Sequence, residues 1–166
     1  MAYILPKKLK FYTSIARNAV PFGNPKRKLN GMRKCGEGCT ACPYIREGKR
    51  IKINGVEWKI NQDLHCDSYN IVHPLICKKE NCRKVYIGES KRLLKVRLDD
   101  HRGYVANNQL TKATGEDFNL PGHSLADLSV TAIERAKVNN TLYRKERKEY
   151  FIRLFNTYHR GINKKT

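Results

Sequence analysis

Six cysteines, Cys35, Cys39, Cys42, Cys66, Cys77 and Cys82, lie between positions 35 and 82 of a 166-residue chain that has none elsewhere. Cys35-x3-Cys39-x2-Cys42 sets three thiols on a loop in which Gly36 and Gly38 let the backbone curl around an ion. That spacing predicts a zinc knuckle, and a closed tetrahedral site needs a fourth ligand. Cys66 is the expected one, brought back toward the knuckle by an intervening hairpin, with His65 as its competitor. Cys77 and Cys82 flank a tight turn, where they either add ligands or serve as two small buried residues that close it. Met1 to Pro6 lacks the charged and apolar regions of a secretory signal, in order. The expected compartment is therefore intracellular and reducing, and there metal ligation outranks disulfides.

Around the cysteines the chain reads as short strands and two helices. Ile51 to Ile60 alternates apolar and polar residues on both sides of Asn54-Gly55, a dipeptide suited to a type I′ turn. This predicts a hairpin with Ile51, Ile53, Val56, Trp58 and Ile60 as its apolar set, so that Trp58 belongs to the core more readily than to a stacked base. Tyr69 to Ile76 and Lys84 to Gly88 form an expected second hairpin, followed by a helix from Lys91 to His101 and a strand from Leu128 to Ile133. A last helix is expected from Leu142 to Tyr158, stopped by Gly161, with His159 complementing its dipole. Residues 1 to 34 are broken by Pro6, Pro21, Gly23 and Pro25, which leaves room only for a short helix near Phe11 to Ala19.

Charge limits the choice of partner. Lys and Arg number 34 against 15 Asp and Glu, a net of +19, and such an excess calls for a polyanion. Nucleic acid and an acidic membrane surface are the candidates; no run approaches the ~18 apolar residues of a membrane span, and of the two nucleic acid is the expected partner, not a membrane. Residues 1 to 52 hold 13 of the cations and 2 of the acids, and residues 141 to 166 hold 8 and 2, so the ends are basic around a nearly neutral body. Lys26, Arg27, Lys28, Arg33, Lys34, Lys91, Arg92 and Arg102 are the expected phosphate contacts. The run from Pro25 to Lys28 also reads as either a nuclear localisation signal or a solvated or DNA-facing linker.

One strand-to-helix junction leads to an Arg/His pair that reads either as a solvated helix face or as a site of chemistry. Val85-Tyr86-Ile87-Gly88-Glu89-Ser90 runs straight into the helix on which Arg97 and His101, spaced i, i+4, share a face. Arginine can neutralise the charge that develops on a pentavalent phosphate, and a neighbouring phenol or imidazole can manage protons near neutral pH.

Several ordered segments resemble the GIY-YIG endonucleases, in particular the endonuclease domain that ends Penelope-like retroelement polyproteins. They are the knuckle Cys35 to Cys42, Asn70-Ile71-Val72, Cys77 to Cys82, Tyr86 to Ser90, Leu94 to Arg97, His101-Arg102, Phe118 to His123, Phe155 to Thr157 and Gly161 to Asn163. Met1 to Pro6 is similar to the stretch that follows the reverse transcriptase of such an element, which implies a piece of a larger polyprotein. The resemblance implies an α+β fold, a small mixed three-stranded sheet flanked by helices, cutting DNA with one divalent metal ion, usually magnesium. It makes Tyr86 the second motif tyrosine, Arg97 the phosphate-stabilising arginine and His101 the helix histidine.

This chain departs from that pattern in three places. His73 stands at the first motif tyrosine, and its imidazole can still serve as a base; the following Pro74 argues for an edge or a bulge. Asp117 stands where relatives commonly carry a histidine. Lys148 stands at the metal-binding glutamate, and the adjacent Glu149, about 100° around the helix, is the expected replacement ligand for magnesium, with Glu146 further away. His123 matches a motif without a derivable role. The expected organisation is a basic arm (1–34), a zinc knuckle and hairpin (35–68) and a nuclease-like domain (69–166), with His73, Tyr86, Arg97, His101 and Glu149 catalytic. A non-catalytic zinc-dependent DNA-binding module derived from such a nuclease is the alternative.

Overall fold

A computed structural model describes residues 29–137 and 139–164. The segment Phe11 to Ala19 and the basic run Lys26-Arg27-Lys28 lie outside the described residues. The chain is α+β. Strand β1 (Gly31–Arg33) is followed by a hairpin of β2 (Arg50–Ile53) and β3 (Val56–Lys59), then by β4 (Asp63–His65), β5 (Ile71–Cys77) and β6 (Val85–Ser90). Helices α1 (Leu94–Ala106) and α2 (Ala113–Phe118) precede β7 (Leu128–Val130) and β8 (Glu134–Arg135), and α3 (Thr141–Leu154) and α4 (Thr157–Arg160) end the described chain. No helix among the described residues is long and apolar enough to cross a membrane.

The Asn54-Gly55 hairpin forms in the expected register, with Ile51 opposite Trp58 and Ile53 opposite Val56. Trp58 lies edge-on to Phe151, ring centroids 4.9 Å apart, and its indole N–H donates to the Ile133 carbonyl at 3.3 Å. It thus pins the hairpin to α3, a packing role.

The central sheet differs from the expected mixed one. Strand β5 pairs antiparallel with β6 on one side and with both β7 and β8 on the other. Parallel pairing is confined, among the described residues, to β1 with β4 and to a single bridge between Ile45 and Val130. Pro74 occupies the middle strand rather than an edge. It survives there because the neighbouring chain is bulged: His73 and Pro74 face three residues, Thr131 to Ile133, between the β7 and β8 pairings. Pro74 offers only its carbonyl, which accepts from Thr131 N–H at 3.2 Å. The expected single strand Leu128 to Ile133 is split for the same reason.

Two helix boundaries also moved. Ser90 Oγ accepts from Arg92 N–H at 3.0 Å, and this serine turn delays α1 until Leu94, so Lys91 and Arg92 sit before it. The late helix breaks at Asn156, which is left-handed (φ 51°), and restarts as α4. Asn140 begins α3 by accepting from Leu142 N–H at 2.7 Å.

One core crosses both expected boundaries: Met32, Ile51 and Leu64 belong to the same buried cluster as Leu75, Ile87, Leu98 and Phe151. The 34/35 boundary follows directly on β1, and knuckle, hairpin and sheet share one interior.

Candidate functional site

The knuckle is assembled by strand pairing. Strands β1 and β4 lie parallel with Arg33 opposite His65, so that Cys35, two residues on, and Cys66, one residue on, leave neighbouring strand ends. Cys35, Cys39, Cys42 and Cys66 bring their sulfurs within 4.8 Å of one another. Cys42 Sγ lies 3.7 Å from that of Cys35 and 3.6 Å from that of Cys66. Four thiolates at 2.3 Å around one zinc would be spaced by roughly 3.8 Å. Cys66, not His65, completes the cluster, and the His65 ring turns into its own loop, its Nδ1 accepting from the Asp67 N–H at 3.2 Å.

This cluster also positions α1. No side chain caps that helix; its first N–H groups are received by the knuckle's backbone, Leu94 by Ser68 O at 2.8 Å and Lys95 by Cys66 O at 2.9 Å. The helix that carries Arg97 and His101 is therefore seated on the thiol cluster.

Further along α1, residues from four elements, β5, β6, α1 and α2, converge. His101 Nε2 is 3.5 Å from His73 Nε2, and its Nδ1 is 3.1 Å from Thr114 Oγ1. The rings of Tyr86 and Tyr104 each lie 5.8 Å from that of His101. Arg97 Nη1 donates to Asp100 at 3.1 Å and to the Tyr104 hydroxyl at 3.4 Å. Gly88 sits opposite His73 in the ladder, and a Cβ there would meet His73 Nε2 at 2.6 Å and Tyr86 Cε1 at 3.0 Å. Only glycine leaves room for these rings.

Burial holds His73 neutral, lowering its pKa to about 3, with Arg97 and Lys148 adding to the effect. His101 is pushed well below the usual histidine range, first by burial and then by His73 and Arg97. Burial raises the Tyr86 phenol. Because the folded histidines hold their protons more weakly than unfolded ones, stability present above about pH 6.5 is lost as the pH falls toward about 3. Urea midpoints should drop over that window, and His73→Gln should flatten the profile. An equally steep profile in that variant would assign the acid sensitivity elsewhere.

A magnesium ion wants oxygen donors. Beside Tyr86, however, α3 presents Lys148, whose ammonium lies 6.0 Å over the phenol ring. Glu149, the expected replacement ligand, points to other partners: one oxygen accepts from Arg153 at 2.9 Å and the other from the Tyr158 hydroxyl at 2.7 Å. These bonds, the tyrosine's first, hold its carboxyl below the usual range. Glu89 accepts from the buried Arg144 at 2.7 Å. Among the described residues, the groups of three or more His, Cys, Asp or Glu able to converge on an ion are the Cys35 cluster and a second one, Cys77, Cys82 and His123. The residues around Tyr86 therefore do not fit magnesium.

The second cluster joins the turn between β5 and β6 to the Gly122-His123 turn, and both His123 nitrogens are buried without a hydrogen-bond partner. Two thiolates and an imidazole are a donor set that suits a zinc-like ion. The cysteine pair was visible in sequence; its histidine partner, 41 positions beyond Cys82, had no spacing signal. Tyr104 was missed although Arg97, His101 and Tyr104 form one i, i+4, i+7 stripe. Lys148 was visible only as a missing acid.

The expected phosphate contacts divide. Arg33 pairs with Asp63 at 2.5 Å, Arg92 with Asp100, and Arg102 with Asp99 at 2.9 Å while lying over the Tyr44 ring. Lys34 and Lys91 are exposed. The chain matches no protein-family model, no curated protein and no solved structure.

Proposed function

We propose that this chain acts on DNA as a GIY-YIG-type endonuclease domain of the kind carried by Penelope-like retroelements, with a structural zinc on Cys35, Cys39, Cys42 and Cys66, and with weak cutting. The observation that carries this reading is the meeting of buried His73 and His101 with half-buried Tyr86 and, through Tyr104, half-buried Arg97, from two strands and a helix. Arg97 takes a phosphate oxygen and offsets the charge that builds on the phosphorane. Tyr86, its phenol held protonated by burial, donates a hydrogen bond to the phosphodiester or to the attacking water. Of the two neutral rings one donates its Nε2–H to the other's Nε2; with His73 as the donor, its unpartnered Nδ1 is the nitrogen left to accept the water's proton. A bound phosphate offsets the Arg97 and Lys148 charges that depress His73 and raises its basicity when the substrate is present.

A non-catalytic DNA-binding module is the second reading, favoured by the Lys148 ammonium at the position where the family holds its metal. Supercoiled plasmid with magnesium separates the two. Slow nicking by the wild type, reduced about a hundredfold or more in Arg97→Ala, supports the nuclease, in line with the loss expected for one transition-state charge partner. Tight binding without nicking in either protein supports the module. A nuclear location within a larger retroelement polyprotein follows from the same proposal.

A further inference from the structure

A half-enclosed cleft of about 840 Å³ lies where the knuckle and the β2–β3 hairpin meet the Cys77 end of the sheet. Four cations line it, Arg46, Lys52, Lys78 and Arg83, all exposed, and no acidic residue does. Among the described residues none of the four has an ion-pair or hydrogen-bond partner for its side chain, in contrast to Arg33, Arg92 and Arg102. The floor is aliphatic, made of Ile53, Ile76 and Val85, and Tyr44 forms a wall. Ile76 and Val85 face one another across the ladder one position beyond Leu75 and Tyr86, so they point to the opposite face of the sheet from Tyr86 and His73. The cleft and the histidine cluster are therefore two sites.

Unopposed cations at a rim call for a polyanion, but a duplex offers only phosphates and groove edges and would leave an aliphatic floor unfilled. A flat anionic bilayer would not enter a cleft. An unpaired strand supplies both parts: phosphates for the rim, and base faces for the floor and the tyrosine. We infer that the Arg46, Lys52, Lys78 and Arg83 cleft is a binding site for a single-stranded DNA segment, with its phosphates on the four cations and a base against Tyr44. This rests on the reading of the chain as a DNA-acting protein and adds a second strand to it, away from the reacting phosphodiester.

The test is fluorescence anisotropy of labelled oligothymidylate on the full chain across a salt series. With about 0.7 counterion released per contact on a single strand, R46A/K52A/K78A/R83A should lessen the slope of log affinity against log salt by about 3. Tyr44→Leu, which keeps apolar bulk, should weaken binding by roughly tenfold or more at fixed salt. Unchanged zinc content and circular dichroism establish that both variants fold. An unchanged slope overturns the site. An equal loss on a blunt duplex of the same length overturns its assignment to a single strand, and a loss seen only on phosphatidylserine vesicles overturns nucleic acid as the ligand. If the nuclease reading itself fails, plasmid stays uncut by every variant, and the oligothymidylate slopes still decide the cleft.

Discussion

Cys66→Ser is expected to remove bound zinc and, with it, the native structure of both the knuckle and the start of α1. Cys66 is fully buried, and its sulfur sits 3.6 Å from that of Cys42. Burial raises its thiol, so ionisation depends on a cation held beside it. Structural zinc contributes apparent free energies of ~10–16 kcal/mol in small metal-dependent folds, as large as the ~5–15 kcal/mol net stability of a whole domain. The loss should extend beyond the first third of the chain, because Cys66 O and Ser68 O receive the first N–H groups of α1 and that helix has no other cap. Amide exchange at Leu94 and Lys95 should speed up together with that of β1 and β4, and the near-ultraviolet signal should fall. A folded, metal-free protein under reducing conditions would refute the zinc assignment.

Lys148→Glu should turn a weak cutter into a strong one. The ammonium over Tyr86 repels any divalent cation and depresses His73; a carboxylate at the same helix position supplies an oxygen donor and lifts that depression. Metal stabilisation of a phosphoryl transition state is worth several kcal/mol, so magnesium-dependent nicking should rise by about a hundredfold or more. The fold should tolerate the change, since the lost cation-π contact is worth ~0.5–1 kcal/mol. Glu149→Gln, by contrast, should leave nicking near its starting level, because that carboxylate is engaged with Arg153 and Tyr158. Loss of all cutting in Glu149→Gln would restore it as the metal ligand. No gain in Lys148→Glu, with DNA binding intact, would refute the placing of Lys148 at the metal position.

The local features read most directly from sequence were those set by neighbours along the chain. Asn54-Gly55 dictates its hairpin whatever surrounds it, and the Cys35 to Cys42 spacing marks a thiol cluster before any strand is placed. Pro74 correctly signalled a bulge, but the bulge appears in the strand opposite, because the missing N–H constrains the partner as much as the proline's own strand. The helix starts were less legible: Ser90 delays α1 through a side-chain turn, and the backbone of a segment 26 residues before Leu94 provides its cap.

By itself the sequence determined the thiol inventory, the excess of positive charge and the Arg97 and His101 stripe, since each depends only on composition or on the fixed geometry of one helix. The tertiary structure decided which cations are free, by pairing Arg33, Arg92 and Arg102 with acids while leaving Arg46, Lys52, Lys78 and Arg83 unopposed around one cleft. It also decided that Glu149 turns to Tyr158 and that Lys148 turns to Tyr86, because one residue's step around α3 carries a side chain from one neighbour to another. Distances between residues far apart in the chain are set by packing, and packing alone joins Cys77 and Cys82 to His123 and Cys35 to Cys66.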